Sequence, residues 1–384
     1  MSRISYLLLF GLIAIGFLGA FLSGFFLNAI FDTDTQVFPI LTQAYNIFIN
    51  HSSINLPETT HLEYGMIRGL LESSGDPYAT FQEPVQHELE SNNLQGRFGG
   101  IGLEFSFTNE GDLLVFPIID GPASRAGIQD GDILLQIDEL LINPSISLDE
   151  IKAAIRGPIG EFVLLKITRN DIETVLEFDI QREEIHLPSV TWHIAPEDSS
   201  IGIIKVHIIA ESTIEEIQNA VIKLQSGGAS KFILDLRDNG GGLLSAGVDT
   251  ARLFLKDGII IQQQYQGQAV ETFRTLNPGT LSDLPLVILI NNNTASAAEI
   301  IAGSLLLHGR ATIIGENSFG KDSIQLIFDL DDGSSLHITA AKWWIPGLIP
   351  PIHEGGLQPD ILVRQGEEQI DLILNAAVNY FKEN

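Results

Sequence analysis

The chain has 384 residues, 45% of them hydrophobic, and a formal charge of −28 from 49 acidic and 21 basic side chains. That length and apolar content suffice for two or three separate cores, and a negative field unbroken by any Lys/Arg cluster argues against nucleic acid as a partner. The absence of cysteine removes disulfides and thiol catalysis, and no His or carboxylate spacing indicates a metal site.

Residues 1–35 read as a transmembrane anchor or signal segment. Residues 6–30 are a 25-residue uncharged run behind Arg3 and ahead of Asp32 and Asp34, long enough to span a bilayer. An uncleaved anchor is expected, because the run exceeds the apolar core of a signal peptide and only Leu27-Asn28-Ala29 offers a cleavage site. Arg3 on the short side then leaves the rest outside the cytoplasm, on the periplasmic or extracellular side, or secreted if the segment is cut. Residues 36–95 follow as a helical region, in which Leu41, Tyr45, Ile47 and Phe48, then Tyr64, Ile67, Leu70 and Leu71, recur at helical spacing, interrupted at Asp76-Pro77. Such apolar faces close on a neighbouring domain or on a second copy of the chain, so a homo-oligomer is one outcome.

Residues 96–183 change to short alternating segments that predict strands over 103–107, 113–118, 133–137, 162–168 and 174–180. The strings GPASRAGI at 121–128 and DGDIL at 130–134 make a helical turn and a tight turn. Ser147, with Glu150 at the capping-box position, opens a helix over 148–155. These residues resemble a PDZ domain, with Gly99, Gly100, Ile101 and Gly102 in the place of the carboxylate-binding loop and that helix beside a peptide groove. The resemblance implies capture of protein chain ends as an added strand.

Residues 184–384 read as an α/β core. Continuous apolar runs at 202–207, 231–236 and 286–290 suit strands covered on both faces, and helices are expected over 213–224, 244–255 and from about 296. Two strand-to-helix loops carry the candidate chemistry. In the first, Gly240, Gly241 and Gly242 expose backbone N–H groups that can face a developing oxyanion; the run lacks the order of a P-loop or a dinucleotide fingerprint. In the second, Ser296 has small neighbours and opens a helix, where the N–H of Ala297 is a second candidate donor beside that of Gly242. Taken alone, Ser296, like Thr294, reads better as a helix cap.

A serine hydroxyl needs a base within reach. Lys321 precedes the strand-like run 324–328, which buries its stem, and Gln325 can hold its nitrogen through the side-chain oxygen. Among the nine histidines, His207, His308 and His337 are alternative bases but read as structural or solvated, with His308 expected to bond its own loop. Glu299 is placed to contact the active-site loops, but a first-turn carboxylate stabilising its own helix is the simpler reading.

The strings FILDLRDNGGG at 232–242, TASAAEI at 294–300, HGRA at 308–311, GENSFGK at 315–321 and GLQPD at 356–360 together resemble the carboxyl-terminal processing, or tail-specific, proteases over about residues 60–365. The resemblance implies a crotonase-like (ClpP/crotonase-type) core with an inserted PDZ domain, and endopeptidase cleavage of protein or peptide substrates near their C-termini. It implies Ser296 as nucleophile, Lys321 as general base and then acid, Gln325 orienting the lysine, Gly242 and Ala297 as the oxyanion hole, and no metal or organic cofactor. The chain departs from the family pattern at Ala298, often serine, at Asp322, usually glycine, and over 342–353. A carboxylate at 322 weakens the base unless its side chain points away. The competing reading is a non-catalytic PDZ scaffold on an inherited protease fold; an acyl-CoA enzyme on a similar core leaves the PDZ-like and Ser/Lys strings unexplained.

Overall fold

A computed structural model of the chain describes residues 38–383 except 56, 109–110, 170–171 and 367–369. The apolar run at 6–30, and the anchor expected there, lie outside the described residues. Among the described residues no helix is long and apolar enough to cross a membrane.

The chain forms two units that divide between Gly65 and Met66. In the first lies helix α1 (Pro39–His51), whose Ile40, Leu41, Ile47 and Phe48 are exposed. Helix α2 (Thr59–Ser74) begins there and continues past the division. The second unit opens with strand β1 (Thr80–Gln82) and helix α3 (Pro84–Gln95).

A β-rich part follows: β2 (Arg97–Gly100), β3 (Leu103–Phe107), β4 (Leu113–Pro117), α4 (Pro122–Ala126), β5 (Asp132–Ile137), β6 (Leu140–Leu141), α5 (Leu148–Ile155), β7 (Phe162–Arg169), β8 (Ile172–Gln181) and β9 (Glu183–His186). Its sheet runs β3-β4-β5-β7-β8, which leaves β3 at an edge. The capping box forms as the sequence predicts: Glu150 Oε2 accepts from the Ser147 N–H at 2.8 Å and Ser147 Oγ accepts from the Glu150 N–H at 3.2 Å. Ile151 and Ile155, one helical turn apart, then bury against Val115, Leu134, Val163 and Leu165. Buried Asp132 is held by Arg169 through two bonds of 2.7 and 2.8 Å, which clips the end of β7 onto β5.

The remaining elements are β10 (Val190–Ala195), β11 (Asp198–Val206), α6 (Thr213–Ser226), β12 (Lys231–Asp235), α7 (Leu244–Phe254), β13 (Ile259–Tyr265), β14 (Glu271–Arg274), β15 (Leu286–Ile290), α8 (Ala297–Leu307), β16 (Thr312–Gly315), β17 (Ser323–Asp329), β18 (Ser335–Trp344), β19 (Ile361–Leu362) and α9 (Leu372–Glu383). One sheet runs β10-β11-β12-β15-β16-β19, parallel from β11 onward. Strand alternation splits its side chains between two cores. Ile204, Leu234 and Ile288 join α6, α7 and α8, whereas Ile203, Ile233 and Val287 lie under Ile373, Ala377 and Phe381 of α9. Burying each such side chain contributes about 1.5–3 kcal/mol, so covering both faces accounts for the continuous apolar runs.

A second, antiparallel sheet runs β1-β18-β13-β14, with β17 also on β18. The sequence reading found the β17 part of it and an alternating strand around His337, in β18. β13 and β18 mix polar and apolar residues, and β1 meets β18 across some 255 residues (Phe81 with Leu336), a pairing that no local pattern announces.

Candidate active site

The two loops singled out from the sequence leave the carboxyl ends of adjacent parallel strands, β12 and β15, where open α/β sheets place their sites. Buried polar side chains fix both. Thr294 Oγ1 accepts from the Asn291 N–H at 3.0 Å and donates to the Leu236 carbonyl at 2.9 Å. Asn239, fully buried, donates to the Val206 carbonyl and accepts from the Gly241 N–H, both at 2.9 Å, while its own carbonyl takes the Ala295 N–H at 2.9 Å. Asp238 accepts from the side-chain amides of Asn293 and Asn291, which hold its carboxyl below the usual carboxylate range. Glycine is required here: a Cβ at Gly241 (φ 106°) would stand 2.8 Å from the Ser296 Cβ, and one at Gly242 (φ 142°) 2.1 Å from the Ile209 carbonyl oxygen.

Ser296 is half-buried at the start of α8 with φ 54° and ψ −121°, a conformation costing a non-glycine residue about 1–3 kcal/mol. Its backbone N–H donates to Glu299 Oε2 at 2.8 Å. Glu299 is completely buried, and the same oxygen accepts the Lys321 N–H at 3.0 Å. Its other oxygen accepts the Gly320 N–H at 2.7 Å and the Ser318 hydroxyl at 2.5 Å. Burial pushes the Glu299 carboxyl up, and these four hydrogen bonds oppose that shift. The sequence reading assigned Glu299 to its own helix; in the structure it ties the Ser296 and Lys321 backbones together. Reach across 22 residues is what sequence spacing does not reveal.

Lys321 is half-buried, and its Nζ donates to Gln325 Oε1 at 2.7 Å. Gln325 Nε2 in turn donates to the Tyr78 carbonyl, which fixes the orientation of the amide so that its oxygen faces the lysine. The Tyr78 ring centre lies 5.2 Å from Nζ. Burial pushes the Lys321 amine below the ordinary lysine value, against the pull of Glu90, Asp76 and Glu299. The Asp322 carboxylate faces Lys342 Nζ at 3.7 Å and His353 Nδ1 at 3.5 Å, and so engages the segment that departs from the family pattern. Sequence reasoning missed Tyr78; its one signal was the Asp76-Pro77 break just before it.

Ser296, Lys321, Gln325, Gly240, Gly242 and His337 face one cavity of about 240 Å³, walled by Leu243, Leu244, Ile324 and Trp343. Ala297 is buried behind this lining, its backbone nitrogen 3.1 Å from where a Cβ of Gly241 would lie. The histidines divide. His207 bonds Thr191, and His308 bonds the Ile259 carbonyl at 2.8 Å rather than its own loop. His337, read as structural or solvated, is buried in the cavity wall with Nε2 3.7 Å from Glu90. Among the described residues no group of three or more His, Cys, Asp or Glu is placed to hold a metal ion.

A second cavity, of about 600 Å³, lies between the edge strand β3 and α5, lined by Ile101, Gly102, Leu103, Phe105, Leu148 and Ile155 among others. Gly99 and Gly100 are not in that lining. They sit in β2, paired with Glu184 and Glu183 of β9, and they are glycine for packing: a Cβ at Gly99 would stand 2.1 Å from the Gly157 carbonyl oxygen, and one at Gly100 2.5 Å from the Phe98 ring. That ring carries the Arg156 guanidinium 4.0 Å from its centre.

Comparison with known proteins agrees with this geometry. The pattern of peptidase family S41 matches residues 200–363, and that of the PDZ domain matches 117–169. A carboxyl-terminal-processing protease of Synechocystis sp. is 36% identical over 308 residues, covering 79% of this chain and 71% of that protein. One of Picosynechococcus sp. is 34% identical, covering 79% and 73%, and one of Bartonella bacilliformis is 33% identical, covering 81% and 72%. The chain belongs to peptidase family S41 and is a serine peptidase of the carboxyl-terminal-processing type with a PDZ domain.

Proposed function

We propose that Ser296 is the nucleophile and Lys321 the general base of an endopeptidase that cuts proteins at or near their C-termini, with Gln325 positioning the lysine. The observation that carries this reading is the Lys321–Gln325–Tyr78 chain of hydrogen bonds, which aims a partly dehydrated amine into the cavity that Ser296 lines. Neutral Lys321 takes the Ser296 Oγ proton as Oγ bonds to the substrate carbonyl carbon. The N–H groups of Gly242 and Ala297 receive the resulting oxyanion. Lys321 then returns the proton to the departing amine as the C–N bond breaks. A water attacks the acyl-enzyme, passing its proton through Lys321 back to Ser296.

The edge strand β3 and helix α5 support capture of a chain end as an added strand, with Ile101 and Gly102 at the carboxylate. The apolar run at 6–30 supports an anchored enzyme whose catalytic part lies outside the cytoplasm. The boundaries 96–183 and 184–384, and a crotonase-like core, belong to the same reading. Ser296→Ala and Lys321→Ala proteins that keep the wild-type circular dichroism spectrum should lose peptide turnover. Turnover retained in purified Ser296→Ala protein, with contaminating proteases excluded, would overturn Ser296 as the nucleophile, whereas no turnover by the wild-type protein would favour the non-catalytic scaffold.

A further inference from the structure

Helix α3 reaches both cavities. Asn93 lines the peptide groove, while Glu90, about one turn before it, and the adjoining Leu94 line the catalytic cavity. The helix end is clamped to the core: the Leu94 carbonyl accepts the Glu211 N–H at 3.0 Å, and the Gly96 carbonyl accepts the Leu187 N–H at 2.9 Å. Glu90 Oε2 is buried in the cavity wall without a hydrogen-bond partner, 3.7 Å from His337 Nε2, which is 3.2 Å from Ser335 Oγ. A carboxylate oxygen withdrawn from water and left unbonded acts on whatever cation shares its cavity.

The groups around Lys321 are few. Glu90 faces it from α3, Asp76 and Tyr78 from the segment before β1, Glu299 from α8, Gln325 from β17 and His337 from β18. Glu299 and Asp76 are already engaged, by four hydrogen bonds and by the Tyr78 N–H and Thr339. His87, half-buried on α3, pairs with Asp329 at 3.0 Å and also acts on His337. Glu90 is therefore the carboxylate with charge to spare beside the amine.

We propose that Glu90 is a positioning residue that holds the proton on Lys321. Among the charges acting on the lysine, that of Glu90 pulls hardest toward the ammonium. The inference rests on Lys321 being the base.

The test is the pH profile of kcat/KM on a short internal peptide, for the full chain, its Glu90→Gln variant and its Glu90→Asp variant. Removing the charge should move the acid limb to lower pH by about half a unit or more, raising the rate below the limb about threefold, while Glu90→Asp keeps the wild-type limb. Glu90→Asn serves as the uncharged variant if the glutamine protein melts early. An unmoved limb in Glu90→Gln, or one moved to higher pH, overturns the role of Glu90. Lys321→Ala that still turns over would instead remove the reading beneath it.

Discussion

The peptide groove and the catalytic cavity are both built beside glycine-rich runs and helix ends, yet they treat the backbone in opposite ways. In the groove, β3 keeps its outer edge unpaired and the lining is mostly apolar, so a guest can supply the missing strand. In the catalytic cavity the loop backbones are tied down by Thr294, Asn239, Asp238 and Glu299. Recognition leaves hydrogen bonds to be made by the partner. Chemistry uses them up beforehand, so that the reacting groups need no reorganisation. The two glycine runs show the same contrast: Gly241 lets backbone approach Ser296, whereas Gly99 and Gly100 let β2 pack on Gly157 and Phe98.

The comparison breaks most visibly at the catalytic lysine. Lys321→Ala should lower kcat by about 10,000-fold in steady-state peptide cleavage, with little change in chain-end binding measured by fluorescence anisotropy. Glu299→Gln comes next. The amide puts an N–H where the pocket already supplies donors, so kcat should fall about 100-fold through misplacement of Ser296 and Lys321, and stability should drop by about 1–3 kcal/mol in urea unfolding. Gln325→Ala should cost about ten- to a hundredfold in kcat, as expected for a small displacement of the base, with KM nearly unchanged. On the groove side, Leu148→Glu places a carboxylate beside an incoming chain end and should raise KM for protein substrates about tenfold, or about 1.4 kcal/mol, with a smaller change in kcat.

The pH dependence follows from Lys321. In the proposed mechanism its amine is the active form, and burial sets it below the ordinary lysine value, so kcat/KM should rise with pH through a midpoint below that value and then level. A midpoint at the ordinary value would mean that the cavity does not dehydrate the base.

Legibility from sequence followed the range of the interactions. Ser147 with Glu150, Lys321 with Gln325, and the apolar runs of β12 and β15 are local patterns, and the structure forms each of them. Tyr78 meets Gln325 across 247 residues, Glu90 comes to the cavity on a helix in which the sequence pattern singles out no residue, and Glu299 occupies a first-turn position that has a sufficient local explanation. The direction of Asp322 depended on Lys342 and His353, residues in a segment without a recognisable pattern.

The most direct test of the catalytic assignment is mass spectrometry of the products formed from one protein substrate by the wild-type, Ser296→Ala and Lys321→Ala enzymes. The account predicts fragments released from the C-terminal end by the wild type alone. The same fragments from either folded variant, in a preparation free of other proteases, would contradict it.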